Sequence, residues 1–389
     1  MEPIHIIGKY FDTTSFSLVI SGQRFDSMQS TLKKDSEIEK ELKVINKTPV
    51  KSIYTEFGYI VDCIDINNQP TFDHSLLMNH KFQLQKKPSF KIRTNKRTSS
   101  TKAVFGLQKG ECPIGTVPIK RTTKDDLIRG KSYFNNGLVD HIHGNHYAEV
   151  ISEYFPIYHG VAGSSSIYNV NVTNDQSSSS VMYVRNGPDS TNYIGMGWHV
   201  APQLYNDHAT HVYAVWTRDN FKNIGCFNLQ CPGFVQTSHV NYLGGRITDT
   251  STYEGQIFEM TISITQDLQT KNWWLSLENE MIGYYPASLF SDLTDAHQVG
   301  WGGRTSNLQG GPSPPMGSGV FPDNIYDHAS YFIHVSFQVD STDWLEPETY
   351  TIKTFSDKPE CFFAKYYGLQ DEDVRYSLQF GGPGGNCGD

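Results

Sequence analysis

Two short runs place unusual residues at strand-like spacing: NYIGMGWHV, residues 192–200, and HQVGWGGRT, residues 297–305. Each sets a Trp among glycines, and neither contains an acid. Trp198, Trp273, Trp274 and Trp301 supply rings that can stack on a ligand, although packing in an aromatic-rich core is expected to take at least two of them. No Gly-rich phosphate loop leads into a helix, and no G-x-S-x-G or H-E-x-x-H run is present. GGPGG, residues 381–385, stands in a strand-and-turn context and reads as a turn. His141, His143 and His146 in HIHGNH have the spacing of a metal cluster, but a loop at a domain junction is the simpler reading. No metal and no cofactor is expected.

The surrounding elements read as strands. The chain has 389 residues, 13% aromatic and 19% charged, with 33 Gly. That mixture suits a β-rich protein with many turns. In IFEMTISIT, Phe258, Met260, Ile262 and Ile264 alternate with Glu259, Thr261 and Ser263. In YFIHVSFQVD, Ile333, Val335, Phe337 and Val339 alternate with Phe332, His334, Ser336 and Gln338. Period two over many short segments after about residue 145 predicts an all-β sandwich of two antiparallel sheets. A smaller mixed region precedes it. We divide the chain into a poorly ordered segment 1–45, a region 46–140 with a basic linker, and a sandwich domain 141–389. Within the first segment, DSEIEKELKVINK predicts a short helix capped by Ser36.

Charge is unevenly spread. Lys81–Lys131 holds 14 Lys and Arg against 3 acids, whereas residues 141–389 hold 10 against 26. The basic run has few aromatics and no nucleic-acid motif, so no nucleic-acid partner is expected. Docking of this basic segment on its own acidic domain is the expectation instead, with a solvated linker as the alternative. No apolar run reaches the length of a membrane span, and no secretory signal is visible in this chain. Six cysteines fall into three local groups: Cys63 with Cys112, Cys226 with Cys231, and Cys361 with Cys387. The C-x4-C spacing and lack of a nearby His pair favour disulfides over zinc, and disulfides imply an oxidising compartment. Sequons at Asn46 and Asn171 fit secretion.

Longer runs carry a family likeness. GYIVDCIDINNQPTFDHSLLMNHKFQLQ and GECPIGTVPIKRT come first, then GWHVAPQLYND, GCFNLQCPGFVQTS, NWWLSLENEMIGYYPASLFSDL, VGWGGRT, MGSGVFP and FGGPGGNC. From about residue 50 to the end, the sequence resembles the plant neprosin family. The resemblance implies an activation peptide that is removed, a two-sheet sandwich, and secretion to the apoplast or vacuole. For active members it implies cleavage after proline by two glutamates. With the local grouping, it also implies the pairs Cys63–Cys112, Cys226–Cys231 and Cys361–Cys387.

Two glutamates suit that chemistry, because one carboxylate deprotonates water while the other, kept protonated by its neighbour, polarises the carbonyl. The first belongs two residues before Gly-Trp in a motif like IEAGW. Here Ile194, Gly195, Met196, Gly197 and Trp198 stand there, and Gly195 takes the acid's position. The second closes a motif like VEWGGE. Here Val299, Gly300, Trp301, Gly302 and Gly303 lead to Arg304. Glycine carries no proton, and arginine donates without accepting. The expectation is a silent relative whose cleft, lined by Trp198, Trp301 and Trp273 with a cationic Arg304, holds peptide or protein ligands, proline-rich or acidic. The alternatives are an active endopeptidase with relocated acids and a cell-wall or storage protein. Glu254, Glu259, Glu278 and Glu280 are the candidate relocated acids, with Glu259 foremost.

Overall fold

The computed structural model describes residues 35–80, 82, 100–102, 105–107, 110–137, 144–187, 190–307, 311–339 and 343–388. Within the first segment, 35–45 form a helix, α1, with residue 36 already helical rather than standing as a cap. A small antiparallel sheet follows, with β2 (Ile60–Asp65) between β1 (Lys51–Tyr54) and β4 (Thr116–Lys120). Cys63 is bonded to Cys112 across it. Part of the basic loop, β3 (Ser100–Lys102), adds as a parallel strand to the sandwich. The helix α2 (Lys124–Gly137) begins after the two prolines of the preceding stretch, as their fixed φ requires.

The rest is two sheets face to face. Their strands are β5 (His146–Ser152), β6 (Gly160–Ser166), β7 (Gln176–Asn186), β8 (Asn192–Val200), β9 (Thr210–Thr217), β10 (Gly225–Phe227) and β11 (Val235–Gln236). Then come β12 (Ile257–Gln266), β13 (Trp273–Leu277), β14 (Glu280–Tyr285), β15 (Gln298–Asn307), β16 (Ser330–Gln338), β17 (Lys353–Ser356), β18 (Phe363–Leu369) and β19 (Tyr376–Gly381). One sheet has seven strands in the order β10-β9-β8-β7-β15-β5-β17. The other runs β11-β14-β13-β12-β6-β16-β19-β18, with β3 beside β12. A four-residue helix, α3 (Pro202–Tyr205), follows β8.

Alternation decides which side chains meet. Along β8, Ile194, Met196, Trp198 and Val200 enter the core shared with Met260, Ile262 and Ile264 of β12. Tyr193 packs in a separate cluster, on the opposite face of the strand. Three of the fully buried indoles have a backbone acceptor. Trp198 Nε1 donates to Ser166 O at 2.8 Å, and Trp301 Nε1 to Ala162 O at 3.1 Å, both on β6 of the facing sheet. Trp273 Nε1 donates to Leu293 O at 2.9 Å. These three rings therefore pin the sandwich and are not cleft residues, contrary to the sequence expectation. A Trp on a strand that turns its small residues outward has only the core to fill.

The strict alternation expected of β16 also fails. Its register against β6 shifts between Ile333 and Ser336, with His334 at φ 54°. The extra residue lets Phe332 and Ile333 both join the core.

The small sheet docks on the sandwich through neutral hydrogen bonds. The Gln69 side chain pairs with the Gln236 backbone, accepting from its N–H at 2.8 Å and donating to its carbonyl at 2.9 Å. Gly233 N–H donates to Thr71 Oγ1 at 3.1 Å, and the Tyr59 and Tyr242 hydroxyls lie 3.1 Å apart. Four basic side chains of the described part pair within their own region, Lys47 with Asp73, Arg121 with Asp62, Lys124 with Asp35, and Lys131 with Glu41, while Lys120 lies between the ring of Tyr59 and that of Tyr205 of the sandwich. Most of the basic run, including 83–99, lies outside the described residues. Among those described, the hydrogen bonds that join the small sheet to the sandwich are amide and hydroxyl pairs, which salt barely screens.

Trp301→Ala is expected to cost about 3–5 kcal/mol, because it opens a core cavity and leaves the Ala162 carbonyl without its donor. Trp301→Phe keeps most of the volume and loses chiefly the hydrogen bond, so it is expected to cost less. Urea unfolding of the three proteins measures the order.

Candidate functional site

The outer face of the seven-stranded sheet carries the second cluster, with Val181 and Tyr183 of β7, Tyr193 of β8, Tyr213 and Val215 of β9, and Phe227 of β10. Register places the two acid positions of the resemblance here. Gly195 lies opposite Tyr183, which in turn lies opposite Gly300. Arg304 lies opposite Ser179, which lies opposite His199. Gly195 and Arg304 thus stand on β8 and β15, with β7 between them, two rows apart.

Neither position is empty space. A Cβ added to Gly195 would lie 2.6 Å from the Tyr193 hydroxyl, and one added to Gly300 would lie 2.5 Å from Tyr183 Cζ. The two tyrosine rings lie over the glycines and stack on each other with centroids 5.3 Å apart. These glycines are required for close approach rather than for an unusual φ.

Arg304 is the centre of the arrangement. Its Nε donates to Glu149 Oε1 at 2.9 Å. Glu149, on β5, accepts from the Tyr183 hydroxyl at 2.9 Å through its other oxygen. The guanidinium lies 5.2, 5.3 and 5.0 Å from the rings of Tyr147, Tyr183 and Tyr193, a cation held among aromatic faces. Burial opposes the charge on Arg304, but Tyr193, Glu149, Tyr147 and Tyr183 outweigh it and hold its pKa well above the ordinary value. Burial likewise pushes the Tyr183 and Tyr193 hydroxyls up, so both remain neutral donors.

Glu149 is the residue that sequence reasoning missed. The four nominated acids belong to the other sheet or its loops. Glu259, on β12, accepts from the Tyr331 hydroxyl. Glu278 accepts from Thr261 N–H, Glu280 from Asn241, and Glu254 lies beside His328. The only sequence signal for Glu149 was an acid inside the apolar alternation of HYAEVIS, and its meeting with Arg304 depends on the pairing of Gly302 with Glu149.

The helix α2 covers this face. The Tyr133 hydroxyl donates to Ser177 Oγ at 2.9 Å and lies 3.1 Å from His199 Nε2. Its ring packs on Phe227 at 5.2 Å. What stays open is a cavity of about 50 Å³ bordered by Tyr147, Ser179, His199, Tyr213 and Arg304. His199 is 4% exposed, and its Nδ1 is without a partner in the described structure. Burial, helped by His211, pushes its pKa down to about 3.

The remaining nominated residues are placed as follows. All three cysteine pairs form as grouped, including Cys226–Cys231 and Cys361–Cys387. The Asn46 side chain is engaged with Thr122, donating to its carbonyl at 2.7 Å and accepting from its N–H at 2.9 Å, so the nitrogen that would carry a glycan is already bonded within the fold. Asn171 is exposed. His141 and His143 lie outside the described residues, and His146 Nδ1 pairs with Asp357 at 2.7 Å. Among the described residues no group of three or more His, Cys, Asp or Glu is placed to hold a metal. No helix of the described residues is long and apolar enough to cross a membrane.

Chemically, the site offers one carboxylate, already neutralised by a guanidinium and a phenol. Removing either partner of such a buried pair leaves an uncompensated charge, whereas removing both does not. Arg304→Met and Glu149→Leu are each expected to cost about 3 kcal/mol or more, and the double variant far less than their sum; a double-mutant cycle by urea unfolding reads the coupling. His199 gives a pH dependence. Its folded pKa lies below the unfolded value, so below about pH 6.5 the unfolded chain takes up a proton that the folded chain excludes. Stability is therefore lost as pH falls towards 3, by about 1.4 kcal/mol per pH unit from this group. His199→Gln is expected to flatten that part of the slope in unfolding measured from pH 7 to pH 4.

Comparison with known proteins places these features. The model of the neprosin activation peptide matches residues 52–153, and that of neprosin matches residues 174–383. Among solved structures, scytalido-glutamic peptidase with a peptide-based transition-state analog is 8% identical, with a TM-score of 0.32, over 62% of this chain and 98% of that one. SCP-B, a member of the eqolisin family in complex with the tripeptide Ala-Ile-His, is 7% identical with a TM-score of 0.30, over 61% and 97%. A homodimeric agglutinin from chicken liver is 9% identical with a TM-score of 0.22, over 41% and 92%. The sequence match to neprosin alone spans more than half of the chain, which belongs to the neprosin family.

Proposed function

We propose that this chain is a catalytically silent member of the neprosin family, secreted, which holds peptide ligands in its cleft without cutting them once the segment ending near residue 140 is removed. The observation that carries the reading is the filling of both acid positions. Tyr193 lies over Gly195, and Arg304 occupies the other position while neutralising Glu149. General acid–base catalysis needs a group that can accept a proton from water and a second that can donate one. Here the acceptor is committed to a permanent cation, and among the described residues no second acid joins it on this face. Three disulfides support an oxidising destination.

The competing reading, an active endopeptidase with a relocated acid, now has one candidate, Glu149, in place of Glu259. A proline-containing fluorogenic peptide offered at acidic pH separates the two. No turnover above a Glu149→Gln control is expected. Specific hydrolysis that disappears in Glu149→Gln sinks the silent reading. Restoring Gly195→Glu and Arg304→Glu alone is expected to fail, because the Tyr193 ring occupies the new side chain's space. Adding Tyr193→Ala to that pair is expected to raise hydrolysis about 100-fold or more over background.

A further inference from the structure

Tyr133 shows what the cleft accepts. Its phenol reaches from the covering helix to the polar floor, where Ser177 Oγ and His199 Nε2 meet its hydroxyl. Ser177 is itself braced by Ser306 at 2.6 Å. The walls are aromatic, with Phe227 at 5.2 Å and His199 at 5.8 Å from the ring. The slot therefore has two polar contacts at the depth of a para hydroxyl, which a phenylalanine would leave unmet at a cost.

Arg304 borders the same opening. Among the described residues it spends only Nε on Glu149, and no hydrogen bond engages its two terminal amino groups. A guanidinium with a free fork is suited to a carboxylate. Arg304 and Ser306 are two residues apart on β15 and share a face, which sets the hydroxyl end of the slot roughly 7 Å from the cation's strand position. That is the span of one tyrosine from its hydroxyl to its own backbone. The unpartnered Nδ1 of His199, buried beside the slot, is a further polar atom left for a ligand.

We propose that the uncovered cleft recognises peptides that end in tyrosine, with the phenol in the slot that Tyr133 fills and the terminal carboxylate on Arg304. This rests on the reading of the cleft as a peptide-binding site, and it names the ligand. Tyr133 is the internal stand-in: it supplies the phenol without the carboxylate, so the helix satisfies half of the site.

The test uses the full chain with Tyr133→Ala, which vacates the slot. N-acetyl-L-tyrosine, N-acetyl-L-tyrosinamide and N-acetyl-L-phenylalanine are titrated by calorimetry or saturation-transfer NMR. The acid is expected to bind at least about 10-fold more tightly than the amide or the phenylalanine analogue, equivalent to about 1.4 kcal/mol for each lost contact. Adding Arg304→Met is expected to erase the preference for acid over amide while keeping that for phenol over phenyl. A folded Tyr133→Ala that fails to bind N-acetyl-L-tyrosine, or binds all three equally, overturns the proposal. If that variant does not fold, Tyr133→Phe decides: hydrogen exchange in α2 is expected to quicken about 10-fold, and unchanged exchange overturns hydroxyl recognition. Failure of the silent reading is separate, because hydrolysis of the proline peptide measures it and leaves the binding preference untouched.

Discussion

The buried pairing of Arg304 with Glu149 governs the cleft. A guanidinium on the face of a sheet must be compensated, and a lone carboxylate only partly does so. The remaining compensation comes from the faces of three tyrosines and from a phenol bonded to the carboxylate's second oxygen. Those rings have to lie flat to reach the cation, and flat rings need strands without side chains beneath them. Gly195 and Gly300 meet that need. Gly195 and Arg304 are thus two parts of one arrangement. Replacing either alone disturbs the other.

The sandwich beneath is organised separately. Its indoles bond the backbone of the facing sheet, and Ser165 meets Ser180 across the interior at 2.8 Å. None of these contacts involves the outer face. The cleft can therefore change its chemistry while the core is kept, as function lives in sites carried on folds. The covering helix is a third layer, attached through Tyr133 and a few aromatic edges, while the small sheet is held by amide pairing.

Much of this could be read from the amino acids. Alternation in IFEMTISIT gave the core face of β12, and the grouping of cysteines together with the family resemblance gave their partners. That positions 195 and 304 hold Gly and Arg needed only the sequence. Two things could not be read. Trp198 and Trp301 looked like cleft residues because each stands three residues from Gly195 or Arg304, but residues an odd number apart on a strand face opposite ways. Glu149 lay about 150 positions from Arg304 in sequence, and only the register of β15 on β5 brings them together. The bulge in β16 shifted Phe332 inward for a similar reason, since an added residue is invisible to a strict period of two.

One strand crosses a boundary. β5 falls inside the segment matched as activation peptide, yet it lies between β15 and β17 in the seven-stranded sheet. A chain severed after residue 153 would strand β17 at an orphaned edge, expose the flank of β15 and take the counter-ion of Arg304 away with the discarded piece. The stretch matched as activation peptide therefore supplies a rib of the sandwich itself, and the matched boundary does not coincide with the edge of the folded body.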